Sequence, residues 1–497
     1  MMLRLSRQTT PTGAVLGASA GAASGMVHLG LGNFHRAHAA VYTAQALATE
    51  PGDWGIHGFA NRSHDVVDAM REQDGRYGVL ELSESGRRAA VVDVHRGLGV
   101  LADEPDAFVA AVAAPATRIL TMTVSEIGYC RSPRHGRLDV DRDDVRADLA
   151  DPARPRSTIG LIARGVAVRA ASGAPMTVLS CDNLQSNGHV TRAVLTEYLH
   201  ASSAGEDVLA FVRDHVTFPN SMVDRIVPST TDGTIAAVGD LLGVEDRCPV
   251  PAEEFTMWVL EDDFAAGRPA WDRAGAITSD EVEAYELVKL RLLNGSHSLI
   301  AYLGILDGHG TIADAWAQPF VRDAVRACIT HEYLPTISLP KGFDVDAYVD
   351  SLSHRWANAA LGHRTSQVGT DGSVKLLQRV PEPALIALRD GRTPHLLALT
   401  VASWIVSVAP PPGVDPGPYA GEIREPARDR LAEVTRGASG PREHAMAVLR
   451  GGFLPDDLVA HDAFTDRVAD LVDVIARSGI RAAAREAVEA ADDRRVS

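Results

Sequence analysis

Residues 26–60 constrain the fold more than any other stretch of the chain. A short apolar run from Met26 to Leu31 contains the paired glycines Gly30 and Gly32 near its end, an alanine-rich stretch from His35 to Thr49 comes next, and a second apolar run occupies Gly55 to Ala60. Short apolar runs bounded by turn residues read as buried strands, and a helical stretch between two of them makes a βαβ unit with parallel strands. The glycines fall at the turn from the first strand into the helix. Without side chains there, the backbone can approach a pyrophosphate at the helix N-terminus, which makes a dinucleotide the expected ligand. His35 stands where a third glycine completes the usual fingerprint. A tight turn with no ligand is the competing reading of an isolated Gly-x-Gly.

The alternation continues along the first half. Strands are predicted at Val91 to Val94, Arg118 to Val124 and Met176 to Ser180, and helices at Pro105 to Ala113, Ser157 to Ala171 and His189 to His200. This pattern implies a parallel sheet covered by helices. Strand signals stop near Ser279, and amphipathic helical patterns run from Asp280 to Leu303 and through most of the remaining chain. A chain of 497 residues is also longer than one hydrophobic core usually serves. The expected fold is therefore α/β, with a Rossmann-type NAD(P)-binding domain over 1–279 and a mostly α-helical substrate and catalytic domain over 280–497. The clusters Pro410-Pro411-Pro412-Gly413 and Pro416-Gly417-Pro418 read as a surface loop between helices.

Net charge and cysteine usage exclude several classes. The formal charge of -17 disfavours a nucleic-acid partner, since phosphate binding needs clustered positive charge. Cys130, Cys181, Cys248 and Cys328 lie far apart and form no CxxC pair, so neither a zinc framework nor a disulfide scaffold is expected, and the reducing cytoplasm is the expected compartment. Leu396 to Ala409 is the most apolar long run. It falls short of the roughly 20 residues of a spanning helix, so a buried helix and no membrane association are expected. Residues 12–25, small and weakly apolar after Arg4 and Arg7, faintly imitate a secretory leader. They lack a leucine-rich centre and run straight into the first strand, so they are read as part of the folded chain.

An acidic residue at the end of the second strand would bind the adenosine ribose and select NAD, but Asn61-Arg62-Ser63 stands there. NAD is the default, with NADP open, because Arg62 suits either a 2'-phosphate or stacking on adenine. His35 and His38 share a helix turn without a third ligand nearby. A pyrophosphate contact or a helix surface is therefore expected for them, and no metal.

The segment from Tyr285 to His297 carries the chemistry. At about 100° per residue, Glu286, Lys289, Asn294 and His297 share a sector roughly 140° wide on an ideal helix, while Leu287, Leu290 and Leu293 form a packing stripe. Moving a hydride from a carbinol to a nicotinamide needs a base for the hydroxyl proton and donors for the developing alkoxide. Lys289 suits the base if burial or cationic surroundings lower its reference pKa of about 10.4, and Asn294 and His297 suit the donors. Two other readings stay open on these residues alone. Tyr285 and Lys289 also satisfy a YxxxK spacing in which the tyrosine moves the proton, and His297 suits a hydrogen-bonded core position.

The chain resembles the polyol-specific long-chain dehydrogenases, the family containing mannitol 2-dehydrogenase, fructuronate reductase and mannitol-1-phosphate 5-dehydrogenase. The resemblance runs through Val27-His28-Leu29-Gly30-Leu31-Gly32-Asn33-Phe34-His35-Arg36-Ala37-His38, Ser180-Cys181-Asp182-Asn183-Leu184, Phe218-Pro219-Asn220-Ser221-Met222-Val223-Asp224-Arg225-Ile226, and Lys289-x4-Asn294-x2-His297. It implies a C-terminal domain like that of 6-phosphogluconate dehydrogenase and metal-independent chemistry on a small polyol or aldonate. It further implies cofactor contacts along residues 27–38 with Asn61 and Arg62, Lys289 as general acid/base, and Asn294 and Asn183 on the substrate oxygen. Asp224 and His297 complete the site by the same resemblance. Glu126 lies in Ser125-Glu126-Ile127-Gly128-Tyr129, where Ile127 replaces the family's lysine, and Arg355, Asn358, His363 and Arg364 match a second substrate-facing segment. The implied reaction is mannitol to fructose, with mannonate to fructuronate, in which Arg364, Lys375 or Arg379 would meet the substrate carboxylate, and mannitol 1-phosphate oxidation as alternatives. An NAD(H)-binding regulator without turnover is the non-enzymatic alternative. The number of subunits is not legible in the sequence.

Overall fold

The computed structural model describes residues 2–17, 23–132 and 135–493. It divides into two compact units, Met1–Glu283 and Ala284–Ser497. In the first unit, six parallel strands form the main sheet: β1 (Met26–Leu29), β2 (Ile56–Ala60), β3 (His95–Val100), β4 (Ile119–Met122), β5 (Met176–Ser180) and β6 (Val216–Thr217). Their spatial order is β3-β2-β1-β4-β5-β6. Met26 faces both Ile56 and Ile119 in register, so β1 is central. Its side chains alternate between two cores, as the period of two requires. Met26 packs with Ala39, Leu47 and Trp271 on one face, whereas Val27 and Leu29 pack with Phe108, Ile162 and Val166 on the other.

Three features of the first unit depart from expectation. The apolar run at Val91 to Val94 ends a hairpin, Tyr77–Ser83 against Gly86–Val92, which joins Val250–Glu253 and Val15–Leu16 in a separate four-stranded sheet. The third parallel strand is instead β3, whose Gly97 and Gly99 weaken any strand signal. Those glycines are needed, because a Cβ on either would lie 2.6 Å from the His57 or Phe59 ring of the neighbouring strand. Finally, the helix expected from His35 to Thr49 is two helices, Asn33–Ala37 and Ala39–Thr49, broken at His38. Of the leader-like residues 12–25, Val15–Leu16 pair in parallel with Val91 and Val92, and 18–22 lie outside the described residues.

The second unit is helical, with no strand after Ile277–Thr278 among the described residues. Ser296–Leu306 and His395–Val408 are enclosed on all sides, as their near-continuous apolar sequences require. Among the described residues no helix is long and apolar enough to cross a membrane. Two π-helical segments interrupt the α-helices, Lys289–Gly295 and Ile329–Tyr333.

Arg169 ties the first unit's sheet to its helices. Fully enclosed, it donates to the carbonyls of Val112, Ala114, Thr117, Ala174 and Pro175 at 2.6 to 3.0 Å. These lie at the end of Pro105–Ala113 and just before β4 and β5. Burial lowers its pKa to about 10, so it stays charged at neutral pH. Arg169→Ala leaves five carbonyls short of a donor and is expected to cost about 3 kcal/mol or more. Urea unfolding checks this, and a loss below about 1 kcal/mol contradicts it.

Candidate active site

Gly30 leaves β1 at φ +103°, and a Cβ there would lie 2.0 Å from the Thr123 carbonyl oxygen just beyond β4. Only glycine fits. Thr123 Oγ1 donates to the Gly30 carbonyl at 2.9 Å and sits 3.2 Å from His28 Nε2. Gly32 differs, since a Cβ there would meet only the Gly30 oxygen, at 3.7 Å. The turn is thus wedged against β4 at one glycine and open at the other, and β1 and β4 flank the switch point where open α/β sheets bind ligands. An exposed, side-chain-free backbone at this point fits a pyrophosphate.

The structure divides the predicted cofactor segment. Gly30, Gly32, Asn33 and Phe34 are accessible, whereas Val27, His28, Leu29, Leu31, His35, Arg36, Ala37 and His38 are buried. His28 and His35 stack with ring centroids 3.4 Å apart, and His35 Nε2 lies 3.2 Å from His95 Nε2. His38 Nε2 pairs with the Met257 carbonyl at 3.1 Å. Arg36 reaches Asn33 Oδ1 at 2.7 Å and the Cys248 carbonyl. The expected pyrophosphate contact or helix surface for His35 and His38 is therefore corrected: both rings are interior, His35 stacked on His28 and His38 packed against Tyr42 and Trp258. Burial lowers His28 and His95 to about 3 and His35 well below its usual value, so all three are neutral. Asn61 and Arg62 are exposed at the end of β2, on the rim of a cavity of about 1100 Å³ also lined by Val124, Ser125 and Ser157.

The ends of β4 and β5 carry the next group. Glu126 is exposed on the short helix Ser125–Gly128, Asn183 is exposed just after β5, and Asp224 is buried at the end of strand Ser221–Asp224. Between them, Asp182 accepts hydrogen bonds from the Val124 and Ser125 backbones at 3.0 and 2.9 Å and from the Tyr129 hydroxyl at 2.8 Å. Burial raises the pKa of the Asp182 carboxyl.

In the second unit, Lys289 opens the π-helical segment and Asn294 lies near its end. This corrects the ideal-helix geometry. Turns closed by i→i+5 bonds take more residues than α-turns, so Lys289 and Asn294, five apart, come closer to alignment than a 100° step gives. Lys289, Glu286 and His297 are buried and Asn294 is half-buried. Gly295 is required because a Cβ would lie 2.3 Å from the Tyr333 hydroxyl. His297 Nε2 is enclosed without a hydrogen-bond partner. Burial, then His363, Arg355, Arg379 and Lys375, hold His297 well below its usual pKa, so it is neutral. His363 faces it edge-on at 5.5 Å and is lowered to about 4 by burial and the charges of Lys375 and Arg355. Arg355 and Asn358 are buried nearby in sequence, at the end of Val345–Ala357. Arg364 is placed differently, exposed and paired with Glu422 at 2.9 Å.

Comparison with known proteins identifies the family. Residues 24–273 match the mannitol dehydrogenase Rossmann domain, and residues 281–474 the mannitol dehydrogenase C-terminal domain. The chain belongs to the mannitol dehydrogenase family. It is 36% identical over 463 residues to D-mannonate oxidoreductase of Escherichia coli (strain K12), covering 92% of this chain and 94% of that one. It is 33% identical over 467 residues to mannitol 2-dehydrogenase of Aspergillus terreus, covering 92% and 91%. The solved ternary complex of Pseudomonas fluorescens mannitol 2-dehydrogenase with NAD and D-mannitol superposes with a TM-score of 0.85 at 30% identity, covering 98% and 100%. Mannitol dehydrogenase family members are oxidoreductases acting on CH–OH groups, and so is this chain.

Sequence reasoning assigned no role to two residues that brace the first unit's strand ends, His95 and Asp182. His95 gave no signal, since it becomes a neighbour of His35 only through the sheet order. Asp182 lies inside the Ser180–Leu184 motif, but only its hydrogen bonds reveal what it does. The buried histidines also set a pH dependence. Between about pH 6.5 and 3 the unfolded chain binds protons that folded His28 and His95 refuse, so stability falls as pH drops through that window. His95→Gln removes one such group, and its stability is expected to fall less steeply with acid, by up to about 1.4 kcal/mol per pH unit. Denaturant unfolding of both proteins between pH 7 and 4 checks this, with equal slopes counting against a neutral His95.

Proposed function

We propose that this oxidoreductase interconverts a secondary alcohol of an acyclic hexitol with the ketone of a ketose, mannitol and fructose first, with NAD as the hydride carrier. The observation that supports it best is the π-helical turn, which carries both buried Lys289 and half-buried Asn294 and runs directly into the helix of an enclosed His297 whose Nε2 has no partner. Gly30, Gly32, Asn33 and Phe34 would hold the cofactor, with Asn61 and Arg62 toward its adenosine end. Bound there, the nicotinamide takes up or returns the hydride. Lys289 Nζ takes the hydroxyl proton as the carbinol is oxidised and returns it in reduction. The Asn294 and Asn183 amides donate to the oxygen as negative charge develops, which stabilises the alkoxide without competing for its proton. His297 Nε2 meets a neighbouring substrate hydroxyl, and Asp224, Glu126, Arg355, Asn358 and His363 are assigned to the remaining hydroxyls. Arg364 is less suited, being engaged by Glu422. Four buried free cysteines suit action in a reducing cytoplasm, and the acidic charge balance suits a small-molecule partner rather than nucleic acid.

Lys289→Ala is expected to lower kcat by about 10²- to 10⁴-fold. Tyr285→Phe stays near wild type, because the Tyr285 ring packs edge-on against Phe343 at 5.6 Å. Absorbance at 340 nm with both NAD and NADP reads this out. If only the tyrosine change abolishes turnover, the lysine assignment is wrong, and a strong preference for NADP removes the NAD assignment.

A second reading is favoured by one observation. Lys375 and Arg379 make no ion pair among the described residues: Lys375 Nζ donates to the Val368 carbonyl at 3.3 Å, and Arg379 to the Asn294 carbonyl and Ser298 Oγ at 2.9 and 2.7 Å. Burial and Arg379 lower Lys375 to about 8. Such cations suit a carboxylate, so a hexonate such as mannonate is the alternative substrate. On this reading mannonate exceeds mannitol in kcat/KM, and Lys375→Gln lowers turnover of mannonate about tenfold or more while changing mannitol less than about threefold. Equal losses on both substrates argue for the hexitol.

A further inference from the structure

We infer that Asp182 is a positioning residue, which sets the segments bearing Glu126, Asn183 and Asp224 in one frame. The inference rests on the proposed reaction and deepens it. Asp182 Oδ1 accepts from the Ser125 backbone, and Oδ2 from the Val124 backbone and the Tyr129 hydroxyl. Its own carbonyl accepts from Asn187 Nδ2 at 3.1 Å, and the same amide donates to the Ser221 carbonyl at 2.8 Å while its Oδ1 accepts from the Ser221 backbone at 2.9 Å. Ser221 Oγ closes the loop by donating to the Ser180 carbonyl. One connected network thus joins the turn after β4, the turn after β5 and the start of Ser221–Asp224.

The chemistry of the central group is specific. Three donors converge on both oxygens, which only an acceptor-only carboxylate satisfies, since an amide presents N–H to one of them. The segments it joins are not relaxed. Ser125, Cys130 and Ser186 take φ of +63°, +53° and +48°, a left-handed conformation that is unfavourable for a non-glycine residue and persists only where surroundings impose it. Asp182 grips the Ser125 amide directly and the other side of that short helix through Tyr129. Thr123, one residue before the grip, is the residue wedged against Gly30. Both carboxylate oxygens are thus engaged by protein donors, while the neighbouring Asn183 is exposed.

The test compares wild type, Asp182→Asn and Tyr129→Phe in kcat and KM for hexitol and hexonate, in NADH affinity by fluorescence titration, and in thermal stability. Asp182→Asn is expected to lower kcat about 10- to 100-fold while NADH affinity changes less than about threefold, and Tyr129→Phe, which removes one bond of three, to lower it about 3- to 10-fold. Wild-type kcat in a folded Asp182→Asn protein overturns the inference. So does a loss in both variants that tracks only the fraction unfolded. If wild type turns over none of the substrates, the proposed reaction fails first and this role fails with it.

Discussion

The first unit is organised by the close approach of Gly30 to Thr123. A single methyl group at Gly30 would overlap the Thr123 carbonyl, so the turn leaving β1 and the turn leaving β4 are held in contact by the absence of a side chain. The consequences run in both directions along the chain. Toward the N-terminal side, Thr123 Oγ1 meets His28, which fixes the ring on which His35 stacks. Toward the C-terminal side, the next two backbone amides are bound by Asp182. The dinucleotide turn, its stacked histidines and the strand ends beyond it are therefore one mechanical object.

Burying three histidines in that object has a physical logic. A third glycine in the fingerprint usually serves close packing of helix against strand. Here His35 replaces it and packs by stacking, which needs a flat partner at 3.4 Å and finds one in His28. The solution requires neutral rings, since adjacent charges in an enclosed space repel, and Arg36 adds to that repulsion. Helix Asn33–Ala37 is short, and the chain breaks at His38 before the next helix begins. A buried aromatic stack takes the place of a long continuous helix after the turn.

Legibility in the sequence tracks the physics of each signal. β5 and Pro105–Ala113 match their predicted bounds, because a buried strand and a proline-started amphipathic helix carry strong local patterns. β3 is invisible in the sequence because its two glycines make room for rings on the next strand, a tertiary requirement that lowers local propensity. The hairpin ending at Val92 misleads for the complementary reason: its apolar residues pack as a strand, but the sheet they join is not the parallel one. Among site residues, the accessible glycines and the lysine–asparagine pair are legible, whereas His28, His35 and His38 are side chains of the interior.

The π-helical turn explains why the second unit's chemistry is compact. Widening the turn brings Lys289 and Asn294 toward one line but disturbs the regular i→i+4 bonding of the backbone, so carbonyls there depend on outside donors. Arg379 supplies one, to the Asn294 carbonyl, and braces Ser298 one turn on. The same guanidinium, with Arg355 and Lys375, raises the cost of protonating His297. One buried cation thus supports the backbone that presents the asparagine and adds to the burial that keeps the histidine neutral. A neutral imidazole with an unpaired Nε2 can hydrogen-bond a hydroxyl without taking its proton, which is consistent with the proposed role of Lys289 as the group that accepts it.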